Sequence, residues 1–151
     1  MKLDKIKVYY YFWMIAIAIL IIGLSRQSEM MDVNFGDTYY VISNLHAAIL
    51  FSICYALLGL GYWFILGWLK KPMIKWMTIL HTGILMLSFI IYWMVVFYTS
   101  LKTDNAIASL QYYGLINTTL VLELLLILFI AQPLYMVNFL VSVFRKRKLG
   151  V

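Results

Sequence analysis

The sequence predicts an all-α integral membrane protein, a single domain (1–151) built as a bundle of four transmembrane helices, with the N- and C-termini on the cytoplasmic side. Three observations predict it. Apolar residues make up 65% of the 151 residues and the mean hydropathy is +0.93, well above the roughly one-half apolar content of soluble domains. Four apolar runs, about 8–24, 39–67, 75–98 and 112–144, reach spanning length. The basic residues then alternate between connections. Lys2, Lys5 and Lys7 precede the first run, Lys70, Lys71 and Lys75 separate the second from the third, and Arg145, Lys146, Arg147 and Lys148 follow the fourth. The other two connections hold only Arg26 and Lys102. Cytoplasmic loops collect Lys and Arg in this way. The net charge of +6 therefore marks topology, so the expected partner is the lipid bilayer and not nucleic acid.

The first run, Val8 to Leu24, is close to the minimum of about 17 residues for a span and contains no charged side chain. It is long for the apolar part of a signal peptide, and Ser25-Arg26-Gln27 is a poor cleavage site. A retained anchor is expected, with Tyr9, Tyr10, Tyr11 and Trp13 as its interfacial belt. An outer loop follows, from Ser25 to Thr38. Asp37, followed by Thr38, is placed to cap the second helix, its carboxylate meeting free N–H groups and the positive helix end.

The second helix is expected from about Tyr39 to Gly67. Its one imidazole, His46, then lies two turns in, roughly 10 Å deep at 1.5 Å per residue. An ionisable group at that depth is costly to bury without a partner and is a functional candidate for that reason. At about 100° per residue His46 lines up with Tyr39, Leu50, Ile53, Leu57 and Phe64. The opposite side carries Asn44, Ala48, Ser52, Ala56 and Gly59, a stripe of small residues that admits another backbone closely. A plainer role for His46 is a hydrogen bond to a neighbouring carbonyl or carboxylate. Cys54, alone in the chain and mid-helix, forms no internal disulfide.

Leu69 to Pro72 is a short inner turn, and His81 falls near the inner end of the third helix. Across a hydrocarbon core about 30 Å thick, His46 and His81 stand too far apart to share one metal, so a structural role is expected for His81. The second outer loop runs from Thr99 to Gln111. The fourth helix is long enough to need tilt or a kink, which Pro133 supplies. Its exceptional residue is Glu123, with Thr119 one turn above on the same face. A carboxyl there should face the bundle interior, paired or protonated. Glu123 and His46 count to similar depth. A hydrogen bond between them is expected, orienting the imidazole as outer carboxylates orient metal-bound histidines.

The wording of one stretch adds a resemblance. Asp37-Thr38-Tyr39-Tyr40-Val41 leads to His46, and Gly59 with Tyr62-Trp63-Phe64 closes the same segment. This resembles the tenth helix of heme-copper oxidase subunit I, where the same lead-in precedes a His-x-His pair that ligates both hemes. Asp32-Val33-Asn34-Phe35 also resembles the Asp-Ile-x-Leu found just before it, and Lys75 loosely matches the opening of the eleventh helix. The likeness covers about the last three helices, strongly over 32–64 and weakly beyond. It implies that His46 is the axial ligand of one low-spin heme of unspecified type, bordered by Tyr39, Leu50 and Ile53 and supported by Glu123, Thr119 and Asp37. The departures are equally definite. Gly36 stands where the family has a magnesium-binding His, and Asn44 where it has the high-spin heme ligand. Asp37 matches a magnesium-associated carboxylate, but a hard cation needs about six oxygens. No copper or magnesium site is expected, and no oxygen reduction by the chain alone.

These residues lead to three expectations of function. The first is a heme-binding protein in or beside the respiratory electron-transfer chain of a bacterial inner (cytoplasmic) membrane. Either a homodimer places two His46 on one heme across a two-fold axis, or His46 is the only strong ligand. The second is a heme-free accessory or assembly subunit of a larger respiratory complex, packing by the small-residue stripe. The third, a proton or small-solute conductor using Glu123 and His46, ranks last because no polar path leads to the inner side. A cofactor calls for a cavity beside His46; the accessory protein has that space filled.

Overall fold

The computed structural model describes residues 7–102 and 106–145, and these are mostly helical. Helix α1 (Val8–Ser25) is followed by strands β1 (Met30–Phe35) and β2 (Thr38–Ser43), which form a two-stranded sheet. Helix α2 (Asn44–Trp63) runs on into a π-helical turn, Phe64–Trp68. Helix α3 (Lys75–Ser100) precedes α4 (Ala106–Leu126), a second π-helical turn (Ile127–Ala131) and α5 (Gln132–Phe144). Val8–Ser25, Asn44–Trp68, Lys75–Ser100 and Tyr113–Phe144 are each long and apolar enough to cross a membrane. Lys2, Lys5, Lys146, Arg147 and Lys148, and Asp104 with Asn105 in the second connection, lie outside the described residues.

Two boundaries differ from expectation. The second helix begins at Asn44, because Thr38–Ser43 is a strand. Thr38, Tyr39, Tyr40, Val41 and Ile42 are β-branched or aromatic, residues that fit a pleated ribbon better than a helix start. Gly36, at φ 61°, provides the left-handed step that a two-residue hairpin turn requires. The connection after α3 is also shorter than the expected loop from Thr99 to Gln111, since α3 continues to Ser100 and α4 starts at Ala106.

The chain divides into two compact units. One holds the residues to Val33, Asp37–Met73 and those from Phe139; the other holds Asn34–Gly36 and Ile74–Asn138. In the first, α1 and α2 lie along each other in opposite directions, as their contacts show rung by rung. Gly23 meets Ala48, the Ser52 hydroxyl donates to the Ala16 carbonyl at 2.9 Å, and Phe12 and Trp13 lie against Gly59. At the far end the Phe12 and Tyr62 rings stack at 5.3 Å. Small residues on α2 and aromatic ones on α1 bring the backbones close, which in lipid substitutes for a hydrophobic drive between helices. Lys7, just outside α1, hydrogen-bonds with Tyr9, and this raises its proton affinity above that of an ordinary lysine. After the π-helical turn, Lys70 takes a left-handed φ of 50°, and the Lys71 ammonium donates to the Val143 carbonyl near the end of α5.

The second unit packs α3 against α4, and α3 against the π-helical turn at Ile127–Ala131. That turn directly precedes Pro133. Proline has no N–H and its ring crowds the carbonyl four residues back, and a widened turn relieves both faults in lipid. The buried side chains of this unit include Thr78, His81, Leu85, Ser88, Thr99, Leu120, Ala131 and Asn138. Thr78, His81 and Ser88 turn polar side chains of α3 inward, the arrangement that suits a helix apolar enough to cross a membrane.

Candidate functional site

His46 is the third residue of α2 and is exposed. It therefore sits in the first helical turn, not two turns below the start. Leu50, Ile53 and Leu57 continue its line and are 60%, 53% and 60% exposed, so this row is turned away from α1. The small-residue side is the one in use: Ala48, Ser52 and Gly59 all touch α1. Asn44 stands at the top of that side, where its N–H donates to the Glu29 carbonyl and its amide to the Glu29 carboxylate at 3.4 Å. Arg26 pairs with the same carboxylate at 3.6 Å, tying the end of α1 to the start of α2.

Tyr39 does not share a helical line with His46; it lies in β2 and is 61% exposed. Nor does Asp37 cap α2. It occupies the hairpin turn, and the N-cap residue is Ser43, whose side chain makes no capping bond. The strand moves the helix start by five residues and takes both side chains with it.

His46 belongs to the first unit and Glu123 to the second, so the hydrogen bond expected between them joins residues of separate units. Within its own unit Glu123 is half-buried, and its Oε1 is shielded from solvent without a hydrogen-bond partner among the described residues. Thr119, one turn above, donates its hydroxyl to the Leu115 carbonyl of its own helix at 2.8 Å. His81 is fully buried and its ring stacks on Tyr135 at 5.0 Å.

Several residues of the second unit went unread in the sequence. Asn138, fully buried, clasps the start of α3: its Oδ1 accepts from the Ile74 N–H at 2.9 Å, and its Nδ2 donates to the Ile74 carbonyl and the Thr78 hydroxyl. Thr78, Thr82 and Ser88 recur at helical spacing with His81, the one member of the row already noted, and that periodicity was the available signal. No group of three or more His, Cys, Asp or Glu placed to hold a metal ion occurs among the described residues; a heme needs only a single imidazole on each side. No protein-family model, curated protein or solved structure matches the chain.

Proposed function

We propose that this chain is a small integral membrane protein that binds one heme through His46 and serves in or beside a respiratory electron-transfer chain, without reducing oxygen by itself. The exposure of His46 at the head of an uncovered apolar row carries this reading. An imidazole turned away from its own helical pair is free to ligate, and Leu50 and Ile53 below it offer the apolar wall that a porphyrin needs. These residues supply one axial bond. A second copy related by a two-fold axis would present the same His46 again and complete the pair. Heme held this way supplies one-electron chemistry, while the protein sets its orientation and surroundings. The distribution of Lys7, Lys70, Lys71, Lys75 and Arg145 supports cytoplasmic termini, with His46 toward the outer side, and the respiratory role proposed places the chain in a bacterial inner membrane.

The test is a reduced-minus-oxidised absorption spectrum of the detergent-purified protein, recorded beside His46→Ala. A sharp alpha band is expected in the parent and is lost in the variant. A flat parent spectrum after heme supplementation overturns the reading. It would leave the heme-free accessory protein, which has its own supporting observation: at most 22% of any spanning window is buried, so most of the span surface is left for lipid or a membrane partner.

A further inference from the structure

We propose that the β1–β2 hairpin is a lipid-binding element, independent of any heme at His46. It lies flat in the headgroup layer with the face that carries Met31, Val33, Tyr40 and Ile42 turned toward the lipid tails. The two-residue turn at Gly36 and Asp37 fixes the register, so that Val33 stands opposite Tyr40 and Met31 opposite Ile42. Side chains alternate along a strand and cross-strand partners share a face, which puts these four on one apolar side. The other side is mixed, with Asn34 opposite Tyr39 and Ser43 opposite Met30. Tyr40 and Ile42 remain 51% and 39% exposed, so protein covers only part of the apolar face.

Both ends of the hairpin are held at the mouth of a span, and this selects lipid as the occupant. At its base, Ser43 passes without a linker into Asn44, the first residue of the span Asn44–Trp68. Near its turn, the Asn34 N–H donates to the Asn117 amide oxygen at 2.8 Å, and the Asn117 amide nitrogen donates to the Asn34 carbonyl at 3.1 Å. Asn117 belongs to the span Tyr113–Phe144, about 6 Å from its start at 1.5 Å per residue. Successive spans alternate in direction, so the second and the fourth start at the same membrane surface. A ribbon about 20 Å long, tied at both ends to that surface, runs along it instead of rising into water. The backbone limits its depth: two strands leave two open edges, and unpaired N–H and C=O groups are not tolerated in hydrocarbon. The ribbon stays where water reaches those edges, a layer that suits tyrosine, with its apolar ring and hydroxyl tip. A lone two-stranded hairpin is marginally stable in water, and lipid supplies the burial that it lacks.

Spin labels on the full chain in phosphatidylcholine liposomes test this. Each label is attached to a single cysteine, Tyr40→Cys, Ile42→Cys or Asn34→Cys, in a Cys54→Ser background. Its collisions with oxygen, which partitions into lipid, are compared with those of a water-soluble nickel chelate. The oxygen-to-nickel ratio is expected to be several-fold higher at Tyr40→Cys and Ile42→Cys than at Asn34→Cys, whose side chain is exposed on the mixed face. The two apolar-face sites report independently, so one suffices if the other variant fails to insert. Nickel access at all three sites puts the hairpin in water and overturns the proposal. Exclusion of both reagents at Tyr40 and Ile42 puts a protein surface over this face and overturns it equally.

Discussion

Gly23→Leu is expected to separate α1 from α2 and abolish cooperative unfolding of the first unit, while Gly83→Ala leaves stability unchanged or slightly raised. A Cβ at Gly23 would overlap the Ala48 methyl, and the Asn44 carbonyl stands only 3.5 Å away. Neither neighbour is the movable end of a long side chain. Overpacking costs about 1–3 kcal/mol where neighbours can give way, and here a whole helix must move, which puts leucine at or beyond the upper end. Gly83 is the counter-case on α3, since a Cβ there meets nothing within 4 Å and alanine is the better helix former by about 1 kcal/mol. Unfolding in a denaturing detergent, followed by tryptophan fluorescence, reads both, because Trp13 lies directly against Gly59 in the same contact. Parent-like unfolding of Gly23→Leu would mean that α1 does not pack through this rung.

Asn138→Ala is expected to destabilise the second unit by about 1–3 kcal/mol, because it leaves the Ile74 N–H without its partner and strips the Thr78 hydroxyl of a donor, while the Ile74 carbonyl keeps its bonds from Thr78. The comparison is built into the molecule. Asn117 makes the same two-point clasp on Asn34, accepting from its N–H at 2.8 Å and donating to its carbonyl at 3.1 Å, but at the exposed hairpin. Water replaces that amide once it is removed, so Asn117→Ala should cost only a few tenths of a kcal/mol. Thermal unfolding of the two variants side by side decides the matter, and equal losses would contradict the burial argument.

Much of the fold was legible. The four spans follow from apolar runs of about 20 residues, a property each segment carries by itself. The stripe of Ala48, Ser52 and Gly59 was readable as a packing face, and α1 occupies it. The hairpin was not read. Only the short pair Ser43-Asn44 separates Thr38–Ile42 from the apolar run of α2, too brief a break for hydropathy to divide them, and the signals for a strand were the β-branched and aromatic content and Ser43 standing as an N-cap residue. That one difference detaches Tyr39 and Asp37 from the helix that carries His46.

Packing decided the remainder. The small-residue stripe marks the packing face of α2, but not which helix covers it, because that depends on a partner distant in sequence. Likewise Asn138 and Ile74 are far apart along the chain, and nothing local to either announces the buried clasp between them. Segment hydrophobicity is a sum over neighbours in sequence and survives without a fold; hydrogen-bond satisfaction is a relation between distant residues and exists only once the helices have met.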